Sequence, residues 1–537
     1  MLASTVKLSG TSLIGSRQAS GAGEPHYATD PITGERLDPG FKPPTDADIE
    51  LAVRMSADAF PIYRRTSARE RAGFLRKIAE KIEASAPDII ERAGKETALP
   101  AARLQGETAR TCGQLRLFAQ VAEEASWVNA RIDLADANRK PLPKPDIRSM
   151  LHPLGPVVVF GASNFPLAFS VAGGDTASAL AGGNTVIVKA HAAHPGTSEL
   201  VGRCIQEAVR ECGLPEGVFS LLFGSGSQVG TRLMKHPLVK AGGFTGSRVA
   251  GRILMDIAAS RPEPIPFYAE MSSTNPVFIL PGALAGGGDN LATGLYGSFT
   301  LGAGQFCTKP GMVFLPKGSE AADFGEKLGR LVSGSAPFYL LTKTIHESYK
   351  SAITKRKGQQ RVKVTAEASC PSASGYSAGS LVFETDAETF LNSDLETEIF
   401  GPTTLLVHHS NREEVLAIAR SLEGHLTATI HGTEEDLHNF SDLIAILETK
   451  VGRLIVNGYP TGVEVTHAMV HGGPYPSTSD GRSTSVGSQA IFRFTRLVCY
   501  QNFPNAALPD ELKDANPLGI WRMIDASLRR DPVVRQR

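Results

Sequence analysis

The stretch Val218-Phe-Ser-Leu-Leu222-Phe-Gly224-Ser-Gly226-Ser-Gln-Val-Gly230 reads as a strand, a glycine-rich turn and the start of a helix at about Gln228. A short apolar run bounded by glycine suits a strand buried on both faces. The spacing G-x-G-x-x-x-G is one residue longer than the common dinucleotide fingerprint. Glycines there let the backbone approach a pyrophosphate at the positive end of a helix, although a plain strand-to-helix turn looks the same. Similar runs lie on either side. Val157-Val158-Val159-Phe160 precedes Gly161 and a small-residue helix, and Thr185-Val-Ile-Val188 precedes a helix near 197–211. Gly242-Gly243-Phe244 ends a fourth strand before a helix near 248–258, and Phe267-Tyr268-Ala269 is a fifth. Strand and helix alternating every roughly 20–35 residues is the pattern of βαβ units around a parallel sheet. The fold class is α/β, with a second alternating region from about 276 to 470.

The flanks read differently. Residues 1–45 are rich in Gly, Pro, Ser and Thr and suit an extended, docked segment. Residues 46–138 form a helical block, with Phe74, Leu75, Ile78 and Ile82 on one face and a break at Pro87 before Ile89 and Ile90. Pro141, Pro143, Pro145, Pro153 and Pro156 mark a boundary or an extended arm. From Pro504 the chain reads as a tail with one short amphipathic helix around Ile520 to Leu528.

The chain has 537 residues, enough for two or three domains at ~150 residues each. Apolar residues are 42% and charged residues 20%, which excludes disorder, collagen and coiled coil as whole-chain readings. Lys plus Arg and Asp plus Glu are each 55, so no net charge draws the chain to nucleic acid or an anionic membrane. No apolar run matches a signal-peptide core or a spanning helix, and a cytoplasmic location is expected. The cysteines at 112, 204, 212, 307, 370 and 499 include no C-x-x-C pair. They predict a reducing compartment and no metal site. All but Cys307 are read as packing residues.

Cys307 stands apart because Gly302 and Gly304 give its backbone close access and no long apolar run surrounds it. A thiolate there would attack a carbonyl carbon. Glu270, at the end of the fifth strand, is either an edge ion pair or a general base whose pKa partial burial would raise. Asn164, after the first strand, either caps the next helix or stabilises an oxyanion. Lys189 and His191 end the second strand, where a doubly wound fold meets the adenosine ribose. No acidic residue lies between Val186 and His194 to repel a 2′-phosphate, which favours NADP and leaves NAD open. Sequence spacing alone does not join Cys307, Glu270 and Asn164.

Together these motifs resemble the aldehyde dehydrogenase superfamily, in the family's order, from about residue 25 to 500. The resemblance implies Asn164 of G-A-S-N-F-P as the oxyanion amide, Glu270 as general base and Cys307 as nucleophile. It places Phe160, Lys189, His191, Gly226, Gly230, the Phe244-Thr245-Gly246-Ser247 turn, and Glu398 and Phe400 of Glu398-Ile-Phe-Gly-Pro402 along the cofactor. Two departures are local: Glu270-Met-Ser-Ser replaces the usual E-L-G-G, and Ala follows Lys189 in place of Pro. Ala192, where NAD-preferring members often carry Glu, strengthens the NADP reading. The stretch from His471 to Gly487 further resembles the α-ketoglutaric semialdehyde (2,5-dioxopentanoate) dehydrogenase subgroup, to which NADP-dependent fatty aldehyde dehydrogenases are similar.

The resemblance implies a Rossmann-type cofactor domain (157–275, with 1–140 as its N-terminal part), a catalytic domain (276–488) and a small β oligomerisation flap. That flap pairs 141–156 with 489–503, leaves 504–537 as the tail, and builds a homodimer or homotetramer. The expected substrate is a small-molecule aldehyde, with Phe165, Phe169, Phe306 and Arg482 as pocket candidates. Arg482 is either a cation for a substrate carboxylate or a surface arginine. Two further readings remain. A CoA-acylating enzyme would generally lack Glu270, and a silent binding protein would have lost Cys307, Glu270 or Asn164.

Overall fold

Three main sheets carry the chain in the computed structural model, which describes residues 7–370 and 374–533. Five parallel strands form the body of the first. In spatial order they are Phe267–Glu270, Ala241–Thr245, Val157–Phe160, Val186–Lys189 and Phe219–Leu222. The chain builds outward from Val157–Phe160 on one side, then returns to build outward on the other. The switch lies between Val157–Phe160 and Ala241–Thr245, and such a reversal opens a crevice at the carboxyl ends of the strands.

The three strands Val157–Phe160, Val186–Lys189 and Phe219–Leu222 are buried throughout, as a parallel sheet covered on both faces requires. Val157, Val159, Val186, Val188, Phe219 and Leu221 pack with Phe74, Leu75, Ile78 and Ile82 of the helix Ala68–Ala84. Val158, Phe160, Ile187 and Leu222 face the opposite core, with Ile49 and Val53 of the helix Asp46–Tyr63. Neighbouring strand residues enter opposite cores because strand side chains alternate.

The second sheet runs Lys363–Glu367, Leu381–Asp386, Thr403–His409, Met312–Pro316, Val277–Ile279, His425–His431 and Val451–Val456. Only Lys363–Glu367 is antiparallel to its neighbour. Phe278, Phe314 and Phe383 fill one face, and Val277, Val313 and Val382 the other. In the third sheet Thr495–Gln501 pairs with Ile147–Pro153 along its whole length. The N-terminal segment is docked: Leu13–Ile14 and Arg17–Gln18 extend the first sheet antiparallel beside Phe219–Leu222. Residues 1–6 of the stretch read for a signal peptide lie outside the described residues. Among the described residues no helix is long and apolar enough to cross a membrane.

Several local expectations change. The helical block ends at Glu124, and Arg131–Asp133 is a strand of the third sheet. Pro87 sits in the first turn of the helix Ala86–Thr97, where its missing N–H costs nothing, and the break falls at Ser85. The helix expected at 520–528 is a hairpin, Arg522–Ile524 with Ser527–Arg529, turning through Asp525 and Ala526 at positive φ. Tertiary pairing overrides the helical spacing there. Met523 and Asp525 donate to the carbonyls of Ala130 and Ile132. Ile520 and Ile524 enter a cluster with Ile132 and Met150, while Leu528 stays exposed. Residues 534–537 of the tail lie outside the described residues. Of the cysteines read as packing residues, Cys112 and Cys204 are buried, but Cys212, Cys370 and Cys499 are exposed. These three fall at a helix end, in a loop and on an outward strand position.

Arg148 fastens the tail. Its side chain is buried, it pairs with Asp146 at 2.8 Å and Asp514 at 2.7 Å, and it donates to the Leu512 carbonyl. Removing one partner of a buried ion pair costs about 3 kcal/mol. Arg148→Met should therefore accelerate amide exchange in the hairpin 522–529 on the order of 100-fold. Exchange as slow as in the unsubstituted protein would show that the tail is held by its apolar contacts alone.

Candidate active site

The row of strand ends in the first sheet is set by register. Thr245 lies beside Glu270, Phe244 beside Phe160, and Phe160 beside Lys189. Residues far apart in sequence therefore share one crest. Asn164 follows the first of these strands. It does not cap the next helix, which begins at Gly174 with Gly173 as its cap. Its Nδ2 donates instead to the Gln305 carbonyl at 2.8 Å, two residues before Cys307. An amide has two N–H donors, so one remains for another acceptor.

The Cys307 loop is bent by three successive residues at positive φ, Gly302, Ala303 and Gly304. A Cβ at Gly304 would stand 2.2 Å from the Gly401 carbonyl oxygen, so only glycine fits where this loop crosses the Glu398–Pro402 segment. Buried Asn275 holds the far side of the loop, its Nδ2 donating to the carbonyls of Cys307 at 2.8 Å and Lys309 at 2.9 Å. Its Oδ1 accepts from Ser273 and Thr427. Ser273, one of the two serines that depart from E-L-G-G, also accepts the Leu426 N–H, so the substitution adds a fastening between the sheets.

Glu270, His471 and Cys307 meet in this structure. His471 Nε2 lies 2.9 Å from Glu270 Oε1 and 3.5 Å from Cys307 Sγ, and the Ser485 hydroxyl donates to Glu270 Oε2 at 2.8 Å. Glu270 and His471 are buried. Burial pushes the Glu270 carboxyl up, but His471, Ser485 and the Cys307 thiol outweigh it and hold the group below the ordinary glutamate range. This corrects the expectation of a raised pKa: the carboxylate is desolvated but well furnished with donors. Burial, and then the neighbouring Glu270 charge, push the Cys307 thiol well above its ordinary value. The resting pair is thus a carboxylate beside a thiol, poised for transfer of the thiol proton. His471 Nδ1 is buried without a partner among the described residues. The three donor atoms lie within 4.8 Å of one another, near enough to ligate one soft divalent ion and near enough to relay a proton.

Phe165, Phe169 and Phe306 form an edge-on stack beside the loop, with centroids 5.2 Å and 5.0 Å apart. Arg103 lies over the rings of Phe165 and Phe306, and Arg110 over Phe169. Arg482 does not join them. Its side chain is 91% exposed and makes a two-pronged pair with Asp480.

The dinucleotide candidates line the crest. Lys189 is buried without an acidic partner among the described residues, and burial alone pushes its pKa down to about 8. An uncompensated buried cation of this kind fits a ribose hydroxyl or a phosphate. His191 Nδ1 accepts the Ala193 N–H, and burial holds the ring neutral, so Nε2 is left as a donor. Gly226 opens onto free space, whereas a Cβ at Gly230 would strike the Phe160 ring at 2.9 Å. The helix expected from Gln228 is a π turn over Gly226–Gly230 that runs into Thr231–Lys235. Gly246 donates to the Glu270 carbonyl, and Ser247 caps the helix Arg248–Ala259. Glu398 and Phe400 lie on the segment that Gly401 presses against the Cys307 loop. Burial pushes Glu398 up, and Lys309, with the Ser272 hydroxyl, draws it back. These residues fit a dinucleotide lying along the crest.

His471, Ser485 and Asn275 were missed as site residues. His471 and Ser485 bound a conspicuous Gly/Ser/Thr-rich stretch. Nothing in their spacing, however, ties them to Glu270, which lies 201 and 215 residues earlier in the chain.

The sequence profile described as "Aldehyde dehydrogenase family" matches residues 20–497. The "Alpha-ketoglutaric semialdehyde dehydrogenase 2" of Azospirillum brasilense is 49% identical over 527 residues, covering 97% of this chain and 99% of that one. The "Alpha-ketoglutaric semialdehyde dehydrogenase" of Acinetobacter baylyi is 44% identical, covering 91% and 93%. Among solved structures, the NAD+ complex of an aldehyde dehydrogenase from Bacillus cereus superimposes with a TM-score of 0.79 at 21% identity, covering 91% of this chain and 96% of that one.

Because the Glu270 charge raises the Cys307 pKa, Glu270→Gln should lower it and increase the thiolate fraction at pH 8. Inactivation by iodoacetamide should then be several-fold faster in the variant, and in the unsubstituted protein it should still be rising above pH 9. Equal inactivation rates would show that the two groups are not electrostatically linked.

Proposed function

The chain belongs to the aldehyde dehydrogenase family, and from that premise we propose that it oxidises α-ketoglutaric semialdehyde (2,5-dioxopentanoate) to 2-oxoglutarate, with NADP as preferred cofactor. The observation that carries the chemistry is the meeting of Cys307, Glu270 and the Asn164-bound loop at one strand crest. The substrate assignment is supported by the two near-full-length relatives of that name. The NADP preference is supported by Lys189 without an acidic neighbour and by Ala192 in place of an acid.

Glu270 accepts the Cys307 thiol proton, and the thiolate attacks the aldehyde carbon. The free N–H of Asn164 and the Cys307 backbone N–H stabilise the oxyanion as it forms. Phe160, Lys189, His191, Gly226, Gly230, Thr245, Gly246, Ser247, Glu398 and Phe400 would hold the dinucleotide, which when bound would supply the acceptor for the hydride lost by the substrate carbon. The substrate is then a thioester on Cys307. Glu270 first passes the thiol proton to solvent, and His471 and Ser485 favour its return to the carboxylate; it then draws a proton from water, which attacks the thioester, and the C–S bond breaks to release the acid and the Cys307 thiolate. Glu270 also argues against a CoA-acylating enzyme, since water is then the natural acceptor. The edge strand Thr495–Gln501 exposes Leu497, which supports assembly into a dimer or tetramer through the flap.

Initial rates with NADP or NAD, and with the semialdehyde or a long-chain alkanal, test the assignment. We expect kcat/KM at least about 100-fold higher for the semialdehyde, the discrimination a site gains by pairing a polar substrate group. Preference for the alkanal would move the protein to the fatty aldehyde branch. Glu270→Gln should give one rapid equivalent of NADPH per active site followed by slow turnover, measured by rapid mixing. Unchanged steady turnover would remove Glu270 from the hydrolytic step.

A further inference from the structure

Arg110, on the helix Ala101–Glu124, and Arg453, on the strand Val451–Val456, approach the same loop from two sides. Arg110 Nη1 donates to the Val463 carbonyl, while Arg453 Nη1 and Nη2 donate to the carbonyls of Gly462 and Pro460 at 2.7 Å each. These bonds use only part of each guanidinium. Arg110 Nε and Nη2, and Arg453 Nε, are buried with no hydrogen-bond partner among the described residues. Buried donors left unpaired are costly, and guanidinium donors especially so. The free Nε and Nη2 of Arg110 are the adjacent pair that forms a two-pronged fork for a carboxylate.

The fork is close to the reacting centre. Arg110 lies over the Phe169 ring at 5.7 Å, Phe169 is 6.1 Å from the His471 ring, and His471 touches Cys307 Sγ. Negative charge on Cys307 favours the charged form of both Arg110 and Arg453. The nearby acids do not occupy the fork. Glu107 is engaged by the N–H groups of Leu167 and Ala168 and by Arg103. Glu464 is exposed, and neither free nitrogen bonds to it.

We propose that Arg110, assisted by Arg453, is the subsite for the distal carboxylate of the substrate, and that it sets the preference for short oxo-acid semialdehydes over neutral aldehydes. This rests on the substrate reading above. The aldehyde and carboxylate carbons of 2,5-dioxopentanoate are roughly 5 Å apart when extended, so the subsite suits a short acid lying beside the stacked rings of Phe165, Phe169 and Phe306. Arg482, held by Asp480 in solvent, is not needed.

The test is the ratio of kcat/KM for 2,5-dioxopentanoate to that for pentanal, a neutral aldehyde of equal length. The ratio should fall about 100-fold in Arg110→Met. It should fall less in Arg110→Lys, which keeps the charge but not the fork, and less in Arg453→Met. Inhibition by glutarate, competitive with the aldehyde, should weaken in the same order. A ratio unchanged in both Arg110 variants, with the unsubstituted enzyme still preferring the acid, would overturn the arginine assignment alone. An unsubstituted enzyme indifferent to the carboxylate would overturn the substrate reading. A purely loop-holding role for Arg110 would lower both rates together and leave the ratio and the glutarate inhibition unmoved.

Discussion

Asn275 lies where the chain leaves the first sheet and enters the second, and its side-chain amide holds the carbonyls of Cys307 and Lys309. Its Oδ1 is held in turn by Ser273 and Thr427. The candidate site depends on this buried clamp. Glu270 and Lys189 belong to one sheet and Cys307 to a loop of the other, so their spacing is only as good as the join between the sheets. Asn164 fastens the same loop from the first sheet through the Gln305 carbonyl. Two side-chain amides, buried Asn275 and half-buried Asn164, thus bracket Cys307 on either side, and a group held by packed partners keeps its geometry through a reaction.

The second constraint is electrostatic. In the proposed reaction Cys307 ionises beside a carboxylate in a desolvated setting, where like charges disfavour each other. The chain does not remove this conflict; it arranges that only one of the two groups is charged at a time. Donors from His471 and Ser485 favour the Glu270 carboxylate, and Glu270 then keeps Cys307 as a thiol. Glu398 and Lys309 form a comparable pair, with burial working against both charges. Cationic groups balance the site from outside the reacting trio: Lys189 at the crest, and Arg103 and Arg110 over the aromatic wall.

Much of the architecture was legible because its signals are local. Runs such as Val157–Phe160 are short, apolar and bounded by glycine, so βαβ alternation could be read without distant contacts. The helix expected at 520–528 failed for the opposite reason. Ile520, Met523, Ile524 and Leu528 have helical spacing, but free backbone groups at Ala130 and Ile132 claim the segment as a strand. Asn164, Glu270 and Cys307 stood out through residue type and motif. His471, Ser485 and Arg110 did not, because a histidine, serine or arginine outside a recognised motif is ordinary until its neighbours are known.

By itself the sequence determined the α/β class, the order of the strands along the chain, and Cys307, Glu270 and Asn164 as the candidate nucleophile, base and amide, through residue types in recognisable motifs. It did so because strand runs, glycine turns and such motifs are written within a few neighbouring residues. Tertiary structure alone decided that Glu270 sits below its ordinary range, that Arg482 faces solvent, and that Arg110 keeps two buried guanidinium nitrogens without a partner among the described residues. Burial, hydrogen-bond satisfaction and charge proximity are properties of spatial neighbours, and those neighbours exist only once the two sheets have packed together.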